Sequence, residues 1–100
     1  MHIKTTEYLS MVREKTGFSD YKIAKEYDIN QSNLSKYSSG KAALSETHAW
    51  LFANVLDIDP AEVVANTKLE HAISTGNNSK AKFWQEQLDK IFSESLPIKI

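Results

Sequence analysis

The feature that most constrains this chain is the stretch from Ser19 to Gly40, where two short helical patterns meet across a tight turn. Ser19 and Asp20 are N-cap residue types. Behind them Tyr21, Ile23, Ala24 and Tyr27 recur at helical spacing until Asp28 and Ile29 interrupt the pattern. Asn30 then caps a second helix from Gln31 to about Ser38, ended by Gly40. In it Leu34 and Tyr37 share one face while Ser32, Asn33 and Lys36 point away. Two helices that cross steeply need a small residue at the contact, a turn residue that tolerates left-handed φ, and an apolar plug after it. Ala24, Asp28 and Ile29 supply these in order.

The remaining segments read as helices packed around that pair. Thr5 or Thr6 opens a first helix that carries Tyr8, Leu9 and Val12 inward until Gly17, and Phe18 stands before the Ser19 cap as a hydrophobic staple. After a loop over Lys41-Ala42-Ala43-Leu44, Ser45 and Glu46 start a fourth helix to about Asp57, with Ala49, Phe52, Ala53 and Leu56 buried. Asp59-Pro60 opens a fifth, bearing Val63, Val64 and Leu69, which reaches about Ile73 before Thr75-Gly76-Asn77-Asn78 breaks it. A sixth, from about Ser79 to Ser93, sets Ala81, Trp84, Leu88 and Ile91 on a heptad-like stripe that Phe83 and Phe92 widen. Leu96 to Ile100 follow as an apolar tail. The expected fold is all-α: a helix-turn-helix domain over residues 1–76 and an extension over 77–100 that serves packing or dimerisation.

Whole-chain properties bound the function. One hundred residues without repeats make one small domain, which buries roughly 60–65% of its unfolded surface and has little stability to spare. There is no Cys, hence no disulfide, thiol nucleophile or cysteine-ligated zinc, which fits a reducing, cytoplasmic setting. The longest apolar run, Ala49 to Ala53, is far short of the roughly 20 residues of a membrane span. Net charge is −1 but uneven: residues 1–41 hold seven Lys/Arg against five acids, so the motif half is the positive one. His2, His48 and His71 are scattered without ligand spacing, and three glycines build neither a phosphate loop nor a nucleophile elbow. No metal, no cofactor and no enzymatic activity are expected.

The spacing of Ala24, the turn at Asp28 and Ile29, the capping Asn30, Leu34 and Ser35, and the closing Gly40-Lys41 resembles the Cro/CI-type (XRE-like) helix-turn-helix repressors. One position departs, since the family usually has Gly where this chain has Asp28, a residue that reaches αL at modest cost. The resemblance implies a five-helix lambda-repressor-like DNA-binding domain with an added C-terminal helix. Gly17 to Lys22, the aromatic-rich last helix and the apolar terminus bring the layout closest to small regulators of filamentous phages and prophages.

Chemistry at the motif agrees with that reading. Gln31 and Asn33 can pair bidentately with adenine, Ser32 is adaptable, and Lys36 can donate to guanine. The resemblance carries base contacts onto these four positions. It also carries phosphate contacts onto Ser19 and Tyr21, at the start of the first motif helix, and onto Ser39 and Lys41 after the second. Asp20 is left out because its charge repels phosphate unless it caps the helix or pairs with Lys22 or Lys25.

The stripe of Phe83, Trp84, Leu88, Ile91 and Phe92 has three readings: cover for the core, a homodimer interface, or a groove for another protein. A C₂ dimer would set its recognition helices about 34 Å apart on a palindromic double-stranded operator. The expected function is a transcriptional repressor. The alternative is an antitoxin-like or antirepressor-controlled module, with a toxin or antirepressor protein as partner.

Overall fold

Ser19, Asn30, Ser45 and Asp59 each stand immediately before a helix and accept a backbone N–H from its first turn, at 3.2, 2.8, 3.2 and 2.9 Å. These side chains satisfy donors that a helix N-terminus otherwise leaves open, so they fix where the chain changes direction. The computed structural model describes residues 2–95, with side chains through Ser93; the tail expected at 96–100 lies outside the described residues. Its helices are α1 (Thr5–Thr16), α2 (Asp20–Glu26), α3 (Gln31–Ser39), α4 (Glu46–Leu56), α5 (Pro60–Ser74) and α6 (Asn78–Ser95), and no strand occurs among the described residues. The protein is all-α.

The turn between α2 and α3 forms around Asp28, whose φ of 55° is left-handed. The Ile29 N–H then returns to Ala24 O at 2.9 Å, and Ile29 is buried at the crossing. Asp therefore occupies the conformation that a glycine adopts freely, at the modest cost expected of its short polar side chain.

Two apolar clusters hold the molecule together. The larger joins Tyr8, Leu9 and Val12 of α1 to Ile23 and Ala24 of α2, Leu34 and Tyr37 of α3, Ala49, Phe52 and Ala53 of α4, and Val63 of α5. The smaller sets Leu88 of α6 against Ala65 and Leu69 of α5, with Ala81, Trp84, Ile91 and Phe92 packed around them. Helix α5 thus serves both clusters. Between them lies Asn66, fully buried. Its Oδ1 accepts the Ile3 N–H at 3.0 Å, and its Nδ2 donates to the Tyr8 hydroxyl at 2.9 Å and to Glu62 O at 3.2 Å. A buried amide satisfied in this way orients its neighbours, whereas an unsatisfied one would cost stability. Burial pushes the Tyr8 phenol up to about 12, so it stays protonated and bound to Asn66.

Candidate nucleic-acid interface

Helix α3 is seated by its buried face. Leu34 and Tyr37 keep only 3% and 4% exposure, whereas Gln31, Ser32, Asn33, Ser35 and Lys36 are exposed together on the opposite side. The seat is polar as well as apolar. The Tyr37 hydroxyl accepts the Ser45 N–H at 3.2 Å and meets His48 Nδ1 at 2.7 Å, which ties the end of α3 to the start of α4. Ser45 takes one lone pair of the hydroxyl, and the contact with Nδ1 serves either neutral tautomer of His48. Burial lowers the His48 pKa and so favours the neutral ring.

The loop after α3 is fixed at both ends. Gly40 ends the helix at φ 77°, the Lys41 N–H returns to Lys36 O at 2.9 Å, and the Leu44 N–H donates to Thr5 Oγ1 at 3.0 Å. Thr5 is itself fully buried, and its N–H and hydroxyl both donate to Glu70 Oε1, at 2.9 and 2.7 Å. Lys41 is thereby presented in the exposed part of a short loop pinned to α1 and, through Thr5, to α5.

At the other end of the motif, Arg13 reaches from α1 to both helices. Its Nε and Nη2 donate to the two carboxylate oxygens of Asp20 at 2.6 and 2.8 Å, and Nη2 also donates to Ser38 Oγ at 3.1 Å. This corrects the expected partners of Asp20. Lys22 instead lies 3.6 Å from Glu26 and over the Phe18 ring, and Lys25 lies over the Tyr21 ring. The guanidinium hydrogen bonds hold the Asp20 carboxyl below the usual carboxylate range, and its charge is offset by a residue of α1. A cleft of about 300 Å³ between the start of α2 and α3 is lined by Asp20, Tyr21, Gln31, Leu34 and Ser35, with Ser38 and Ser39 beyond them. Its only carboxylate is the one that Arg13 pairs.

The residues expected to touch phosphate are arranged around this cleft and loop. Tyr21 is 63% exposed, and Ser19, Ser39 and Lys41 are exposed. Ser19 Oγ is engaged as the α2 cap, and Ser39 Oγ donates to Lys36 O at 3.3 Å. Sequence reasoning missed Arg13, Ser35 and Ser38. Ser35 could have been found from its position one turn before Ser39 on the exposed side of α3; Arg13 and Ser38 meet only through the fold.

The aromatic stripe divides. Leu88, expected at a dimer seam, is fully buried inside the chain, because α6 lies along α5 and Leu88 fills the space over Ala65 and Leu69. Trp84, Ile91 and Phe92 are partly buried around it. Phe83 is half exposed and meets Trp84 edge-on, with ring centroids 5.0 Å apart. Among the described residues, no three His, Cys, Asp or Glu are grouped to hold a metal ion, and no helix is long and apolar enough to cross a membrane.

A short helix with no acidic residue, raised on a buried seat beside a second helix whose N-terminus faces the same cleft, defines a helix-turn-helix DNA-binding transcription regulator. The family model described as helix-turn-helix matches residues 9–63, more than half of the chain. The chain belongs to that family, the XRE type of helix-turn-helix regulators. No curated protein and no solved structure matches the chain at a significant level.

Proposed function

We propose that this regulator is a cytoplasmic repressor of phage or prophage type that binds a palindromic operator as a C₂ dimer. The observation that carries the reading is the exposed polar edge of α3, held clear of the body by buried Leu34 and Tyr37. On this reading Gln31, Ser32, Asn33 and Lys36 read base edges in the major groove, while Ser19, Tyr21, Ser39 and Lys41 contact phosphates on either side. One recognition helix reads few base pairs, so two-fold pairing doubles the contact set. Half-exposed Phe83, edge-on to Trp84, supports pairing through α6.

Selection of bound sequences from random DNA at fixed salt, followed by footprinting, tests the reading. A two-fold symmetric site is expected. In the Gln31→Ala/Lys36→Ala variant, specific binding falls by about 1–3 kcal/mol for each base edge that is no longer read. In Lys41→Ala, affinity falls alike on all sequences, and the salt slope drops by about 1. Specific binding left intact in the double variant refutes the assignment of α3 to the groove. The same Phe83 surface favours one second reading, an antirepressor or toxin partner, which would be recovered in stoichiometric amount with the protein expressed from its own operon.

A further inference from the structure

We infer that the groove between α5 and α6 is a binding site for a small planar aromatic acid. The inference stands apart from the motif helices and does not depend on how DNA is read. The groove is open to solvent and measures about 660 Å³, in the size range of small-ligand sites, and such sites form between helices of a bundle. Ala72, Phe83 and Trp84 supply its apolar surface, and the two edge-on rings offer a flat aromatic a face and an edge to pack on.

Charge selects the ligand within that class. Lys68 and His71 on α5 and Lys80 on α6 border the groove from both sides, and no carboxylate is among its lining residues. The acid that meets Lys68 is Glu46 of α4, at 3.7 Å, and it lies outside the groove. Cations on both helices that border an apolar surface favour an anion that carries its own apolar body: the ring would cover Phe83 and Trp84, and the carboxylate would pair with Lys68 and Lys80. Phe83 lines the groove and is also the residue proposed for pairing, so the acid and a second copy meet at the same ring.

The test uses the whole chain, labelled with nitrogen-15, and 2-naphthoate as the probe. Saturable, one-to-one shifts of the backbone amides over residues 68–84 are expected, with little change in α2 and α3. The Lys68→Gln/Lys80→Gln variant, altered only at exposed positions, should fold normally and bind at least about tenfold more weakly. The uncharged analogue 2-naphthamide should bind the unaltered chain about tenfold more weakly than the acid. Shifts that do not saturate by about 10 mM, equal affinity for acid and amide, or undiminished binding by the double variant would each overturn the proposal.

Discussion

Arg13 grips Asp20 through two parallel hydrogen bonds of 2.6 and 2.8 Å, across the Gly17 break that separates their helices. The same guanidinium reaches Ser38, so a residue of α1 holds the first turn of α2 and the last turn of α3. An Arg fork matches a carboxylate in a way that the point charge of Lys does not.

The first prediction concerns that contact. Both side chains are more than a third exposed, so solvent screening limits the pair to about 0.5–1 kcal/mol of coupling in a double-mutant cycle of Arg13→Ala and Asp20→Ala read by urea denaturation. The effect on DNA should be larger than the effect on stability. Arg13→Ala leaves Asp20 as an unpaired anion beside the cleft and should weaken binding to any sequence, and Asp20→Asn in the same chain should restore much of the loss. Arg13→Lys should fall between Arg13→Ala and the unaltered chain, because the ammonium still offsets the charge of Asp20 but cannot bridge both oxygens and Ser38. Equal DNA affinity of Arg13→Ala and the unaltered chain at low salt would show that Asp20 does not face the backbone.

Asn66 gives the second prediction. Its replacement by Ala strips partners from the Ile3 N–H and the Tyr8 hydroxyl in the interior and leaves a void, so a loss of about 2–3 kcal/mol is expected in urea or thermal unfolding. Asn66→Asp should be worse near neutral pH, since a carboxylate would be buried against Tyr8 without a cation among the residues bonded to it. Tyr8→Phe in the Asn66→Ala background should cost less than in the unaltered chain, because the hydroxyl it removes has already lost its donor.

What could be read from the order of residues was what neighbours decide. Caps at Ser19, Asn30, Ser45 and Asp59, the αL turn at Asp28 and the split of α3 into a Leu34/Tyr37 seat and a polar edge all follow from residues within a few positions of one another. What escaped is long-range. Arg13 with Ser38, Thr5 with Glu70 and Asn66 with Ile3 are separated by 25, 65 and 63 positions, and nothing local marks Thr5 or Asn66 as interior. Helix α5 was bounded by its Asp59-Pro60 start and the break at Thr75-Gly76, not by an apolar period. It buries residues toward two clusters, so its apolar residues do not keep to one face and the periodic signal that marks a one-sided helix is smeared. The same blind spot hid the division of the α6 stripe, since spacing groups Leu88 with its neighbours and cannot tell that α5 claims it first.

The third prediction is a pH dependence through His48. Burial lowers the folded-state pKa of His48 below its unfolded value near 6.5, so the unfolded chain takes up a proton more readily than the folded one. The contribution of this site to stability is therefore whole above about pH 6.5 and is lost as the pH falls through the interval down to the folded pKa. Protonated His48 can still donate from Nδ1 to the second lone pair of the Tyr37 hydroxyl, so the cost of charging comes from the burial of the ring and not from loss of that contact. Unfolding free energies measured between about pH 5 and 8 should decline on the acid side, and His48→Gln should flatten that decline. An equal acid-side decline in His48→Gln would assign it to other groups.

Leu88 and Phe83 separate fold from assembly, and their contrast is the fourth prediction. Leu88 is fully buried within one chain, so Leu88→Ala should cost about 2–4 kcal/mol whatever the protein concentration, through lost transfer energy and the cavity left over Ala65 and Leu69. Phe83 keeps half its surface in water, and Phe83→Ala should cost less than about 1.5 kcal/mol in the isolated chain. If α6 pairs two copies, Phe83→Ala should raise the dimer dissociation constant seen by sedimentation and lower operator affinity without changing how a single half-site is bound. The order of the two variants is the decisive quantity: Leu88→Ala is ranked first in unfolding and Phe83→Ala first in self-association. The reverse order would mean that α6 leaves α5 to form the dimer, with Leu88 exchanged between chains.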